Sequence, residues 1–180
     1  DRGELTELSI DKAIEGASRL ALAMWLTRRL TIRHSAKADN VQQGEAALDP
    51  TIILSDWTQD ERKTLLERPL FGFASYGRVR FHHRSVSEFL AAKRLHEMRN
   101  NGMSLRALKR LLFIETKGNT IVLPSKRALA GWLASFNDDI YQAIRDYEPT
   151  LLLDEGDPAS LTFAQRKQAL GAYVQRYGRG

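Results

Sequence analysis

The chain contains no cysteine, which excludes a disulfide framework, a thiolate metal site and a cysteine nucleophile. A reducing compartment, hence a cytoplasmic location, is the expectation. Long apolar runs are also missing. The longest, Leu20-Ala-Leu-Ala-Met-Trp-Leu26, falls far short of the roughly 20 residues that span a bilayer, and its periodicity continues into polar flanks, as in a buried helix. The glycines are not clustered: Gly72, Gly77, Gly102 and Gly118 stand alone at turns. No G-x-x-x-x-G-K-[ST] segment exists to cradle phosphates, so nucleotide hydrolysis is not expected of this chain. The four histidines, His34, His82, His83 and His96, lack metal-ligand spacing beyond the pair His96-Glu97. Ser85 has a histidine nearby but no triad or oxyanion-hole context. The first residues, Asp1-Arg-Gly-Glu4, form no signal region, and the sequence stops at Gly178-Arg-Gly180 without an obvious end. A piece of a longer polypeptide is expected.

What is present is ample for folding: 180 residues, 43% of them hydrophobic, make one ordinary domain or two small ones. Ser9 is placed to cap a helix whose apolar positions Ile10, Ile14, Ala17, Leu20, Ala21, Met24 and Trp25 follow the 3.6 period to about Arg29. The stretch from Ser35 to Asp49 is polar and aperiodic. Thr58 and Glu61 form a capping box opening a second helix, and Arg68-Pro69 ends it. Leu70-Phe71-Gly-Phe73 and Arg78-Val-Arg-Phe81, around Ala74-Ser-Tyr-Gly77, read as a hairpin. Val79 and Phe81 alternate with Arg78 and Arg80 as in a half-buried strand.

Chemistry concentrates where that strand becomes a helix. Ser85-x-x-Glu88 reads as a second capping box, placing His82 and His83 just before the helix N-terminus. Unpaired N–H groups and a partial positive charge there favour phosphate or carboxylate, and an adjacent imidazole can donate to the same anion. His82, one step off along a strand, is expected to point the other way.

The spacing Phe81-x-His83-x-Ser85-x-x-Glu88-Phe89-x-Ala91-Ala92 resembles the end of the winged-helix domain in NACHT-type STAND NTPases, the group that includes NOD-like receptors and bacterial relatives. The approach from Trp57-Thr58-x-x-Glu61 through Pro69-Leu70-Phe71 to Tyr76-Gly77 resembles bacterial members. The likeness implies a mainly α chain: a winged helix with a hairpin wing over 1–100, then the start of a HEAT-like helical array over 101–180. It implies that His83 contacts the phosphate of ADP. In such proteins ADP (exchanged for ATP on activation) holds the winged helix and an NTPase core of the same polypeptide closed. A trigger at the array releases them, oligomers form, and bacterial relatives commonly serve in anti-phage defence.

Beyond Asn100-Asn-Gly102 no strand alternation dominates, and short helices are expected. The first follows Ser104. After the turn Thr116-Lys-Gly118-Asn119 comes a short extended run, Ile121-Val-Leu123. Pro124-Ser125 leads into a helix bearing Leu129, Trp132, Leu133 and Phe136. Asp138 or Asp139 opens the next, with Ile140, Ala143, Ile144 and Tyr147; Leu151–Leu153 make a turn; and Thr162-x-x-Gln165 caps the last, through Tyr177. Glu155-x-Asp157 reads as a solvated turn. Charge supplies a rival expectation: 27 basic against 22 acidic residues gives +5, and Arg78, Arg80, Arg84, Lys93 and Arg94 crowd the wing, as in nucleic-acid-binding winged helices. The helix after Thr58 nevertheless mixes Asp60, Glu61 and Glu67 with Arg62 and Lys63. A helical protein-interaction scaffold is the third possibility.

Overall fold

A computed structural model of the chain describes residues 7–35, 46–74 and 76–178. The two chain ends, most of the aperiodic stretch before Asp49 and Ser75 of the hairpin turn lie outside the described residues. The protein is mainly helical with small antiparallel sheets. It divides into two compact units, Asp1–Arg94 and Leu95–Gly180, so the division falls inside one helix. Among the described residues no helix is long and apolar enough to cross a membrane.

In the first unit, Ser9 Oγ accepts from the Lys12 N–H and starts α1 (Ile10–Thr27), which ends on Arg28 in the left-handed conformation. The buried stripe is rotated from the expected one. Ala13, Ala17, Leu20, Ala21 and Met24 are buried, whereas Ile10 and Ile14 are exposed. Small residues take the inward positions because Trp57 packs there: a Cβ on Gly16 would lie 2.5 Å from the indole. β1 (Ile32–Arg33) and α2 (Pro50–Ile53, capped by Asp49) were not legible in the sequence; each is too short to show a period. α3 (Gln59–Leu66) opens on the expected Thr58/Glu61 capping box, both reciprocal bonds being present. β2 (Phe71–Ala74) and β3 (Arg78–Phe81) form the expected hairpin, closed by Tyr76 and Gly77 at φ 59° and 69°. β1 pairs with β3, giving sheet order β1-β3-β2. α4 (Arg84–Asn100) follows.

In the second unit, Ser104 caps α5 (Leu105–Leu112). The expected turn and extended run are found next, but they belong to a hairpin whose first strand was not foreseen. β4 (Phe113–Thr116) and β5 (Asn119–Val122) make a hairpin across Lys117-Gly118, both at positive φ. Two β-prone runs about a two-residue glycine turn match the twist of an antiparallel pair, and α5 passes into β4 with no breaker between them. A 3₁₀ turn at Pro124–Lys126 leads into α6 (Arg127–Ala134). Phe136 lies past its end. α7 (Asp138–Tyr147) is capped by Asn137, one or two residues earlier than expected. α8 (Leu151–Asp154) is short, and Thr162/Gln165 cap α9 (Phe163–Tyr177) as expected. Leu108, Leu112, Leu129, Leu133, Ile140, Ile144 and Leu151 are fully buried, each worth about 1.5–3 kcal/mol. The bend Glu155–Asp157 is partly solvated, with Asp157 exposed, but Glu155 is half-buried and lies 3.6 Å from Arg127, which also pairs with Glu148. Glu148 in turn accepts from the Val122 N–H at 3.1 Å.

Candidate functional site

The junction from β3 to α4 is built by a register that leaves the chain one way to end its strand. Phe71 and Phe81 are cross-strand partners with ring centroids 4.7 Å apart, and both are buried. Val79 is buried on the same face while Arg80 is exposed, as period-2 alternation requires. The His82 N–H donates to the Leu70 carbonyl at 2.9 Å, the last bond of the hairpin. His83 then carries the chain into α4, its carbonyl accepting from the Ser87 N–H at 3.4 Å.

Two expectations about this junction are corrected. The Ser85/Glu88 capping box does not form, because α4 begins at Arg84 and Ser85 already sits inside the first turn. Glu88 instead accepts from Arg84 Nε at 2.9 Å, an i,i+4 pair, while Ser87 Oγ donates to the Arg84 carbonyl at 2.7 Å. The Arg84 guanidinium also lies over the Trp25 ring, 5.5 Å from its centroid, which ties the start of α4 to α1. Secondly, His82 does not point away from His83. The strand stops at Phe81, so alternation no longer governs, and the two exposed imidazoles meet edge to face, centroids 4.9 Å apart at 87°. Gly72 makes room for this: a Cβ there would lie 3.0 Å from His82 Nδ1.

The result is a one-sided donor set. The Arg84, Ser85 and Val86 N–H groups have no acceptor within the helix, the helix end carries partial positive charge, and two imidazoles stand beside it. Such a face can receive an anionic group presented from outside. Two surface depressions of about 510 Å³ each lie elsewhere. The first is lined by Arg33, His34, Asp49, Arg62 and Lys63, the second by Arg106, Lys109, Arg110 and Tyr147; His83 lines neither. Among the described residues no three His, Asp or Glu side chains are grouped to hold a metal ion.

Sequence reasoning placed His83 and Phe81 at the junction but missed Arg84 and Trp25. Their pairing joins residues 59 positions apart, which no local period reports. It also missed the ties that seat α3. Arg19 donates to the Ile53 carbonyl at 2.6 Å and grips Asp56 with two bonds, 2.7 and 3.0 Å. The Asp56 bond raises the Arg19 guanidinium above its ordinary value against the desolvation that lowers it, and holds the Asp56 carboxyl below the usual range. Lys12 pairs with Glu61 and lies over Trp57, and its bond holds the Glu61 carboxyl low. Compared with protein-family models, curated proteins and solved structures, the chain matches none.

Proposed function

We propose that this chain is the regulatory segment of a nucleotide-dependent switch of the NACHT-type STAND class: a winged helix followed by the beginning of a HEAT-like helical array. Non-enzymatic itself, it holds the ADP-bound state of an NTPase core in the same polypeptide. The observation that carries the reading is the exposed His83 imidazole immediately before the first turn of the 17-residue α4, with Phe81 anchored two residues earlier. A phosphate brought there by another domain meets the helix N–H groups and an imidazole together. The order helix, strand, helix, helix, hairpin with β1 added beside β3 supports the winged-helix part, and the packed helices α6 to α9 support the array. A trigger at the array, with oligomer formation and bacterial anti-phage defence, completes the reading by resemblance.

Differential contact is what such a device needs: a group that touches nucleotide in one state and not in the other shifts the balance by the energy of that contact. A DNA-reading role for α3 is the weaker account, because Arg62, its central cation, donates to the Leu54 and Trp57 carbonyls and Glu61 is held by Lys12. The reading requires a phosphate loop and a following acidic, Mg²⁺-binding strand outside these 180 residues. Sequencing the open reading frame upstream of Asp1 tests it. Several hundred upstream residues with no such pair would remove the assignment.

A further inference from the structure

Five helices, α1, α3, α5, α7 and α9, open on a side chain that accepts from a first-turn N–H, and their first main-chain bonds are 2.9 to 3.1 Å long. α4 opens otherwise. Its first bond, from the Ser87 N–H to the His83 carbonyl, is 3.4 Å, beyond the usual range for N–H···O bonds. Its first turn holds no acidic residue and begins with Arg84, a cation where the partial positive charge of a helix end disfavours one. The Ser85 hydroxyl is exposed and makes no hydrogen bond with the described residues.

Glu88 links these features. Two donors compete for its carboxylate: Arg84 Nε, which it accepts from at 2.9 Å, and the Ser85 N–H, its reciprocal partner in a capping box that starts at Ser85. One register cannot serve both. The box requires Ser85 to leave the helical conformation and become the N-cap, which ends the bond from Ser87 to His83. It also satisfies two main-chain donors of the helix end, whereas an exposed i,i+4 ion pair contributes little. The observed start is held by a second contact of the same side chain, the Arg84 guanidinium 5.5 Å over Trp25 of α1. That side chain is itself 79% exposed, so the start of α4 rests on two weak surface contacts.

We propose that α4 exchanges between two starts, one at Arg84 and one capped by Ser85, and that Glu88 is the group over which they compete. In the observed register Glu88 is turned to Arg84, and the Arg84, Ser85 and Val86 N–H groups are left open beside His82 and His83. In the other, the Glu88 carboxylate accepts from the Ser85 N–H and stands at the helix end as an internal anion, where a phosphate would otherwise sit. An external phosphate therefore favours the first register and opposes the second, the differential contact through which a ligand biases a two-state element. The identity of that ligand rests on the nucleotide-switch reading; the exchange of registers does not.

The test is NMR of the isotope-labelled 180-residue chain. The Cα shift of Ser85 reports its backbone, helical in the observed register and extended at an N-cap, and amide exchange at Ser87 reports the bond to His83. In wild type the Ser85 shift should be helical. Arg84→Ala removes both contacts that hold this start: the Ser85 shift should move to the extended side and the Ser87 amide should exchange about tenfold faster. The Phe89 amide should be unchanged, since its bond to the Ser85 carbonyl is common to both registers. Adding Glu88→Ala to Arg84→Ala removes the carboxylate of the box and should return the Ser85 shift to the helical side. A Ser85 that stays helical in Arg84→Ala overturns the proposal, as does faster exchange of Ser87 and Phe89 together, the mark of simple fraying. In a polypeptide that includes the nucleotide core, Arg84→Ala should release fluorescent ADP about fivefold faster. A register shift in the 180-residue chain with ADP release unaltered would retire the nucleotide reading and leave the exchange of starts standing.

Discussion

The two units solve the same problem, seating short helices on a small core, with different chemistry. In residues 1–94 the elements between α1 and α4 are two to eight residues long, and long charged side chains bridge between them. Arg19 reaches Ile53 and Asp56, Lys12 reaches Glu61, and Arg62 and Arg68 donate to main-chain carbonyls, Arg68 to that of Leu8. In residues 95–180 Arg127 also bridges Glu148 and Glu155, but there the helices interlock by shape as well. Gly131 of α6 meets the backbone of Glu155, and Gly156, at φ +70°, closes on Gly131. A charged bridge tolerates solvent and moves a little at small cost. A backbone-to-backbone contact does not, so the units should fail differently when perturbed.

The largest contrast is expected from one substitution made at two sites. Gly131→Ala places a methyl 2.7 Å from the Glu155 carbonyl carbon, main chain that cannot rotate away. A loss of about 3 kcal/mol is expected, as for overpacked cores. Gly16→Ala drives its methyl to 2.5 Å from the Trp57 ring, a side chain that can shift, so about 1–2 kcal/mol is expected; alanine's better helix propensity, about 1 kcal/mol, favours both variants alike and leaves the contrast unchanged. Hydrogen exchange followed by mass spectrometry reports each unit separately. If Gly16→Ala costs more than Gly131→Ala, the contrast between side-chain and backbone packing is wrong.

Next in size is Arg19→Ala. Its side chain is 18% exposed, and the change leaves the Ile53 carbonyl and Asp56 unanswered, at about 1–2 kcal/mol. Protection of α1, α2 and α3 should fall while that of α6 and α7 holds. Equal losses in both units would contradict the bridging role.

Response to pH sharpens the same contrast. Asp56 and Glu61 are held below their ordinary values of 3.8 and 4.5 by Arg19 and Lys12. The stability they contribute is present above those values and lost as pH falls through the lower folded ones, so residues 1–94 should open first below about pH 4. Burial pushes the Tyr141 hydroxyl above its ordinary 10.0. The neutral form is the one the fold favours, so its contribution is present below pH 10 and lost as pH rises further, loosening α7 against α9. Exchange at pH 3 and pH 10.5 that perturbs the units in the reverse order would break the comparison.

Elements with their own start signal were legible. Ser9, Thr58/Glu61, Ser104 and Thr162/Gln165 each mark a helix in the sequence, and each caps one in the structure. Ser85/Glu88 carries the same signal and fails, because Arg84 reaches Glu88 and Trp25 and pulls the helix start one residue upstream of Ser85. β1 owes its form to a partner far along the chain, Ile32 pairing with Val79, and leaves no local pattern; α2 has the local signal Asp49-Pro50 but is only four residues long, too short to show a period. The β4–β5 hairpin was legible in its Lys117-Gly118 turn but was masked by the helical run of leucines before it. At the candidate site the position of His83 could be read; the approach of His82 could not, since alternation predicts the opposite and holds only while the strand lasts.

That approach sets the smallest effect and leads to the central one. In a polypeptide that includes the nucleotide core, His82→Ala removes only the edge-to-face contact that props His83, worth about 0.5–1 kcal/mol, and should quicken ADP release slightly. His83→Ala removes the imidazole proposed to meet the phosphate. The most direct measurement is the release rate of fluorescent ADP from each purified variant and from wild type, with thermal unfolding recorded alongside. A charge-assisted bond of about 1–3 kcal/mol predicts release about 5- to 150-fold faster for His83→Ala, a smaller change for His82→Ala, and trigger-independent oligomers for the former. A folded His83→Ala protein that keeps ADP as long as wild type would contradict the account: His83 would then be the residue that ends a strand and nothing more.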